Sequence, residues 1–314
     1  MSSWFSINEA IAPNVAVEIA AGRVAAAALE TRGGQPAISA YAVEPLPAAA
    51  LLPSLTAANT HDRAAVMTAL NRVLEHVGRP RRIGLIVPDV VSKVSLVRFE
   101  NVPPRIADLD QLIRWQVRKS APFAIEEAQV SYARGAQTAE GQEFIVSLAR
   151  RVVVEEYEGL CAEAGAHAGI VDIATFSMMN AVLAAPGVPA GDWLVTNVAA
   201  DSASIVILRG TNPILFRNRA ADDEEQLADV LHQTRMYYED RLNGTGLARA
   251  TFCGHGQGDE LRQMLQERIA VPIETIDPRQ AAALTDRIGA SPALLETLAP
   301  LVGMLLRDRQ AVAA

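Results

Sequence analysis

Apolar positions along this chain switch repeatedly between a two-residue and a helical spacing, and the switches divide it into strands and helices. From Val15 to Leu29 the pattern reads as two strands around a small-residue turn, Ala20-Ala21-Gly22. Gly33-Gly34-Gln35-Pro36 reads as a turn and Pro45 to Pro53 as an extended connection. Between Asp62 and His76, Val66, Ala69, Leu70, Val73 and Leu74 recur at helical spacing, and Val77 continues the stripe. Ile83 to Val87 is a short buried strand ended by Pro88-Asp89. A strand pair, a helix and a strand in that order have α/β character.

A separate unit runs from Ser92 to about Val171. Val94, Leu96 and Val97 make a strand, and Pro103-Pro104 opens a helix whose stripe is Leu109, Leu112, Ile113 and Val117. Val130 to Tyr132 and Phe144 to Leu148 are strands joined by a polar hairpin loop. A second helix carries Val153, Tyr157, Leu160 and Cys161 on one face, with Gly165 as its terminator. Strand–helix–strand–strand–helix–strand is enough for a small α+β subdomain.

At Asp192 the α/β pattern restarts. Leu194 to Val198, Ala203 to Leu208 and Ile214 to Arg217 are strands. Asp222 to Leu242 is the strongest helix, with Leu227, Val230, Leu231, Tyr238 and Leu242 on one face and acidic residues in its first turn. Ala250 to Cys253 is a strand entering the loop Gly254-His255-Gly256-Gln257-Gly258. Leu261 to Ile269 is helical, Val271 to Ile276 extended, and Leu298 to Leu306 a closing helix. The opening strand pair also repeats. Val15-Ala16-Val17-Glu18-Ile19-Ala20-Ala21 lies on Leu194-Val195-Thr196-Asn197-Val198-Ala199-Ala200 without a gap, and Leu29 falls on Leu208. Two lobes of like topology follow from such a repeat.

Composition narrows the function more than the fold. The 314 residues are enough for two cored lobes at roughly 100–200 residues each. A net charge of −8 disfavours a general nucleic-acid binder, because phosphate attraction needs a basic surface. Arg79-Pro80-Arg81-Arg82 is the one dense basic cluster and reads as a solvated helix end. No apolar run approaches the roughly 18 residues of a membrane span, and no secretory signal pattern is present at the N-terminus. Trp4, Phe5 and Ile7 read as a docked or frayed terminus in preference to an amphipathic anchor. Cys161 and Cys253, far apart and without histidines at ligand spacing, fit a reducing cytosol and give no metal site.

One stretch is distinctive: Ile113-Arg114-Trp115-Gln116-Val117-Arg118-Lys119-Ser120-Ala121-Pro122-Phe123-Ala124-Ile125-Glu126-Glu127. It resembles the type IV pilus assembly PilM family, in which a Trp-containing helix end leads into Pro-Phe-x-Ile-Glu-Glu. Phe144 to Arg150, then Ile170-Val171-Asp172-Ile173 with Phe176 and Asn180, and the helix ending Arg235-Met236-Tyr237-Tyr238 resemble that family in the same order. The cell-division protein FtsA and the cytoplasmic part of the secretion protein GspL are similar families. The resemblance implies an actin-like, ribonuclease H-like α/β fold of two lobes with an inserted subdomain. Residues 1–91 and 172–191 would form the first lobe, 92–171 the inserted subdomain of FtsA/PilM (SHS2) type, 192–297 the second lobe, and 298–314 a helix closing onto the first.

Actin-like proteins clamp nucleotide phosphates between two strand–turn–strand loops, so the resemblance implies ATP with magnesium as cofactor. The loop residues argue against efficient hydrolysis. In the first loop the family's Asp, Gly and Lys positions hold Glu18, Ala20 and Ala25, with Arg23 two positions early. In the second, Asp-x-Gly has become Asn197-Val198-Ala199. Glycine lets backbone N–H groups approach phosphate, and a cation offsets its charge, so both losses weaken the site. The candidate nucleotide contacts are Glu18, Asn197, Asp201, Ser202, Ser204, Gly254 and Gly256, with no catalytic and no metal-ligating residue assigned. Whether nucleotide binds is left open. His255 reads as a turn residue before a base contact.

By the same resemblance, the expected role is a cytoplasmic scaffold of the pilus inner-membrane platform, peripheral to the membrane through its partner. That partner is a PilN-like membrane protein, whose short N-terminal peptide would lie in a groove beside the inserted subdomain. Trp115, Pro122 and Phe123 border that region or belong to the core. The alternatives are a working actin-like ATPase or sugar kinase, a GspL-like type II secretion component, and an FtsA-like polymer. No aspartate base aimed at a hydroxyl is recognisable for a kinase, and no amphipathic C-terminal helix for a polymer.

Overall fold

In the computed structural model, which describes residues 13–187, 189–200, 202–220, 224–254, 262–263, 265–285 and 288–307, the first strands form a meander. β1 (Val15–Ala20), β2 (Arg23–Arg32) and β3 (Gln35–Pro45) pair antiparallel in turn. Gly22 makes the β1–β2 turn at φ 85°, a conformation that glycine adopts without Cβ strain. α1 (Arg63–His76) is started by the Asp62 carboxylate, which accepts from the Ala65 N–H. Its stripe of Val66, Ala69, Leu70, Val73 and Leu74 covers one face of the sheet, and β4 (Arg82–Val87) returns parallel to β1. β3 was not expected: its first two residues were read as part of a turn, Pro45 as the start of an extended connection, and the stretch between was assigned to no element. Pro36 stands only one residue inside β3, opposite Thr31, and the rest of the strand pairs normally.

β5 (Ser92–Phe99), β6 (Ala128–Thr138) and β7 (Gly141–Arg150) form a separate three-stranded sheet in the order β5-β7-β6. α2 (Ile106–Val117) packs Leu109, Ile113 and Val117 onto Phe144, Val146 and Leu148 of its middle strand. Trp115 points away from that core and is 67% exposed, whereas Phe123 packs against it. The unit expected over 92–171 divides at Arg150. α3 (Arg151–Glu163) buries Tyr157, Leu160 and Cys161 in the same cluster as β1, β4 and α1, and β8 (His167–Ile173) pairs parallel with β4. Those apolar faces have more to bury against the large sheet than against the small one.

The second half repeats the first. β9 (Asp192–Val198), β10 (Ser202–Arg209) and β11 (Asn212–Ala220) form a meander, α5 (Glu224–Arg241) follows, and β12 (Leu247–Cys253) returns parallel to β9 with β13 (Ile273–Thr275) beyond it. The order β11-β10-β9-β12-β13 reproduces β3-β2-β1-β4-β8, as the sequence repeat requires. β14 (Ala283–Leu284) crosses over to extend the first sheet beside β3.

Two helices lie against the remaining face of the first sheet. α4 (Ala174–Ala184) is buried almost all round. α6 begins at Pro292, earlier than the expected Leu298, with the Ser291 hydroxyl accepting from the Leu294 N–H, and runs to Leu306. Leu298, Leu301, Val302 and Leu305 of α6 pack on Ala16, Ala25 and Ala27 of the sheet, whose short side chains let the helix approach. Gly303 allows the closest contact: a Cβ there would lie 1.6 Å from the Ser177 carbonyl oxygen of α4.

Candidate functional site

In open α/β sheets, sites form beyond the carboxyl ends of parallel strands where neighbouring connections diverge. Here those ends from both lobes face each other. The turns after β1 and β9, Pro88-Asp89 after β4, Gly254 after β12 and Ala174 at the start of α4 enclose a cavity of about 260 Å³. Of the expected residues, Glu18, Asn197, Ser202 and Gly254 line it, and Ser204 reaches it through Asp89. Asp201, Gly256 and His255 lie outside the described residues, as do Trp4, Phe5 and Ile7.

Among the described residues, each carboxylate of this cavity is already engaged by protein donors. Glu18, buried at the end of β1, accepts from Arg23 Nε at 3.1 Å and Nη2 at 2.8 Å across the hairpin turn. Arg23 is therefore turned onto Glu18 of its own loop. Burial works against the Arg23 charge, but Glu18, with smaller help from Cys253 and Glu296, raises its pKa above the ordinary value. Ala25, at the family's lysine position, is fully buried among Ala16, Ala27 and the apolar side chains of α6. Glu18 stands directly across the hairpin from Ala25, and its carboxylate is taken by Arg23 instead of a lysine at that position.

Asp89 is the focus of the cavity, and sequence reasoning did not single it out. Its Oδ1 accepts the Thr175 N–H at 2.9 Å. Its Oδ2 accepts from the Thr175 hydroxyl, from Ser204 Oγ at 2.5 Å and from Asn197 Nδ2 at 3.5 Å. Asn197 Nδ2 also donates to Thr175 Oγ1 at 3.0 Å, and Asn218 Nδ2 to Ser204 Oγ at 2.8 Å. Burial raises the Asp89 pKa, opposed by the hydrogen bonds from Ser204, Thr175 and Asn197. Thr175 was missed as well. The one available signal was Pro88-Asp89 closing a buried strand, a place where a carboxylate is seldom structural filler.

A second concavity, also of about 260 Å³, lies between the small sheet and the first lobe. Gln129, Ser131 and Ala133 of β6 line one wall and Gly169 to Ile173 of β8 the other. β6 and β8 are each the outermost strand of their sheet. At the groove, Arg307 Nη1 donates to Asp172 Oδ2 at 2.9 Å, with both side chains buried. Burial raises the Asp172 pKa, and the Arg307 charge and the Ile173 N–H oppose it. Trp115, Pro122 and Phe123 do not line this groove.

The family description "type IV pilus assembly protein PilM" matches residues 16–241. Among solved structures, a PilM-PilN type IV pilus biogenesis complex is similar with a TM-score of 0.77 at 18% identity, covering 96% of this chain and 100% of that one. A Bacteroides thetaiotaomicron protein with an actin-like ATPase fold is similar at 0.52 and 8% identity, covering 83% of this chain and 90% of that one. No curated protein matches. The fold of two actin-like lobes follows from both likenesses and from the repeated strand order.

Proposed function

This chain belongs to the type IV pilus assembly protein PilM family, and from that premise we propose that it is a scaffold which holds an extended peptide of a PilN-like partner between β6 and β8. The observation that carries the reading is the pair of edge strands facing one groove. An edge strand leaves a row of backbone N–H and C=O groups unpaired, and an added peptide strand satisfies them while its alternate side chains enter pockets. The groove offers such a peptide two edges, small residues such as Ser131, Ala133 and Gly169 along its walls, and apolar Ile145 and Phe176 within it. The solved PilM-PilN complex supports a partner of that kind. No described helix is long and apolar enough to cross a membrane, which accords with a cytoplasmic protein held at the inner membrane through its partner.

In this reading the interlobe cleft does not turn over ATP. Magnesium takes near-octahedral oxygen ligands, usually with one or two free carboxylates. Glu18 is held by Arg23, and Asp89 by Thr175, Ser204 and Asn197. Among the described residues no group of three His, Cys, Asp or Glu side chains converges. The described donor set therefore does not fit the metal.

Two measurements test the proposal. A fluorescent peptide copying the N-terminal cytoplasmic segment of the partner should bind saturably, and Ser131→Trp, which fills the groove, should weaken it at least about tenfold, or ~1.4 kcal/mol. Equal binding by that variant would move the site elsewhere. Phosphate release from magnesium-ATP should stay at background, and steady turnover would return the protein to the ATPase class.

A further inference from the structure

We propose that the Asn197 amide stands in for a divalent cation, latching the two lobes together without metal or nucleotide. This rests on the reading of the cleft given above and goes further, from what the cleft does not do to what holds it shut. Asp89 and Thr175 belong to the first lobe, at the end of β4 and in the first turn of α4, whereas Asn197, Ser204 and Asn218 come from β9, β10 and β11 of the second. Every hydrogen bond from Asn197 or Ser204 to Asp89 or Thr175 therefore crosses between lobes. Asp89, Thr175, Asn197 and Ser204 are all buried, so water does not compete for these donors and each bond counts for more than it would at a surface.

The amide is what allows this closure. Aspartate has the same shape as asparagine, but its second oxygen would take the place of Nδ2. Two carboxylate oxygens would then face each other at about the 3.5 Å that now separates Asn197 Nδ2 from Asp89 Oδ2. Buried like charges at that range do not both stay ionised unless a cation lies between them. With asparagine the atom at that position donates hydrogen bonds to the first lobe, and the cation becomes unnecessary. Arg23 on Glu18 answers the other described carboxylate of the cavity in the same way, with a fixed side-chain charge.

The test is Asn197→Asp, followed by thermal unfolding near pH 8 in EDTA and in millimolar magnesium or manganese chloride. The midpoint of the unmodified protein should be the same in both. The Asp variant should unfold roughly 5–10 °C lower in EDTA and regain at least about half of that loss with the cation. Its radius of gyration by solution scattering should be larger in EDTA than with the cation. Asn197→Ala should unfold earlier than the unmodified protein and ignore cations. The proposal is overturned if the Asp variant matches the unmodified protein in EDTA, or is destabilised with no response to cations. It is also overturned if Asn197→Ala keeps the original midpoint, or if magnesium or magnesium-ATP compacts or stabilises the unmodified protein. Should the Asp variant not fold at all, the Ala variant and the unmodified protein still decide. Failure of the latch leaves the peptide and phosphate-release assays unaffected, so the two readings fall separately.

Discussion

Asp89 is only 4% exposed, and its carboxylate is surrounded by donors from three other residues. Its pKa lies above the ordinary 3.8 because burial outweighs those hydrogen bonds. A carboxyl whose folded-state pKa is raised holds its proton more tightly folded than unfolded. Its stabilising share is thus full below the unfolded value and is lost as pH rises through the folded value. Asp89→Asn cannot titrate, so the stability of the unmodified protein relative to this variant should fall as pH rises above about 4 in urea titrations. A constant difference would mean that Asp89 is ionised throughout. Asp172 has the same sign of shift, in part from the Asp89 charge, so removing that charge lowers its share of the pH dependence as well. Glu18 and Asn197 were singled out because their loops depart from the Asp-x-Gly pattern of the family they resemble, and the structure brings both to one cavity. Asp89 and Thr175 were not singled out, because their meaning comes from elements 86 residues apart in sequence meeting in space.

Among the elements, α6 depends on its approach to α4. The Cβ of Gly303→Ala would meet Ser177 backbone at 1.6 Å, and backbone cannot yield as a side-chain tip does. This substitution should cost about 1–3 kcal/mol or more in chemical denaturation. Gly159→Ala, inside α3 with nothing within 4 Å, should instead be neutral or stabilise by up to about 1 kcal/mol. If both behave alike, helix propensity and not contact governs Gly303. The contrast also explains which elements could be read in advance. α1 and α3 each carry one apolar stripe beside polar positions, so their period is visible. α4 is apolar or small on every side and packs on every side, which erases the period. β3 was lost to the proline beside its start, and α6 was begun too late although Pro292 at its first turn is a usual start signal. Trp115, on α2, and Phe123, beyond its end, could not be separated by sequence, since an aromatic side chain does not show by its identity which way it points.

At the scale of the whole molecule, the repeated strand order shows how two similar sheets make one cleft: each contributes the carboxyl ends of its central strands. The repeat of Val15–Ala21 on Leu194–Ala200 announced this, and the matching order of five strands in each sheet completes it. Of the two crossovers, the resemblance implied the helix that closes onto the first lobe, whereas nothing in the sequence pointed to β14. β14 and α6 come after the second lobe in sequence yet complete the sheet and core of the first. A fragment ending at residue 187 leaves Ala16, Ala25, Ala27 and Ile86 without the α6 side chains that cover them. It should therefore show poor near-ultraviolet dichroism and bind hydrophobic dyes, whereas a sharp cooperative melt would show that the first lobe needs no such cover. The crossover also sets a timetable. On the ribosome the second lobe, from Asp192 to Thr275, is an unbroken run that can settle as soon as it has emerged, while the first lobe, begun earlier, waits for α6 before its sheet is sealed. The half of the protein made first is the half finished last, and until then its uncovered alanine-rich face is what a chaperone would meet.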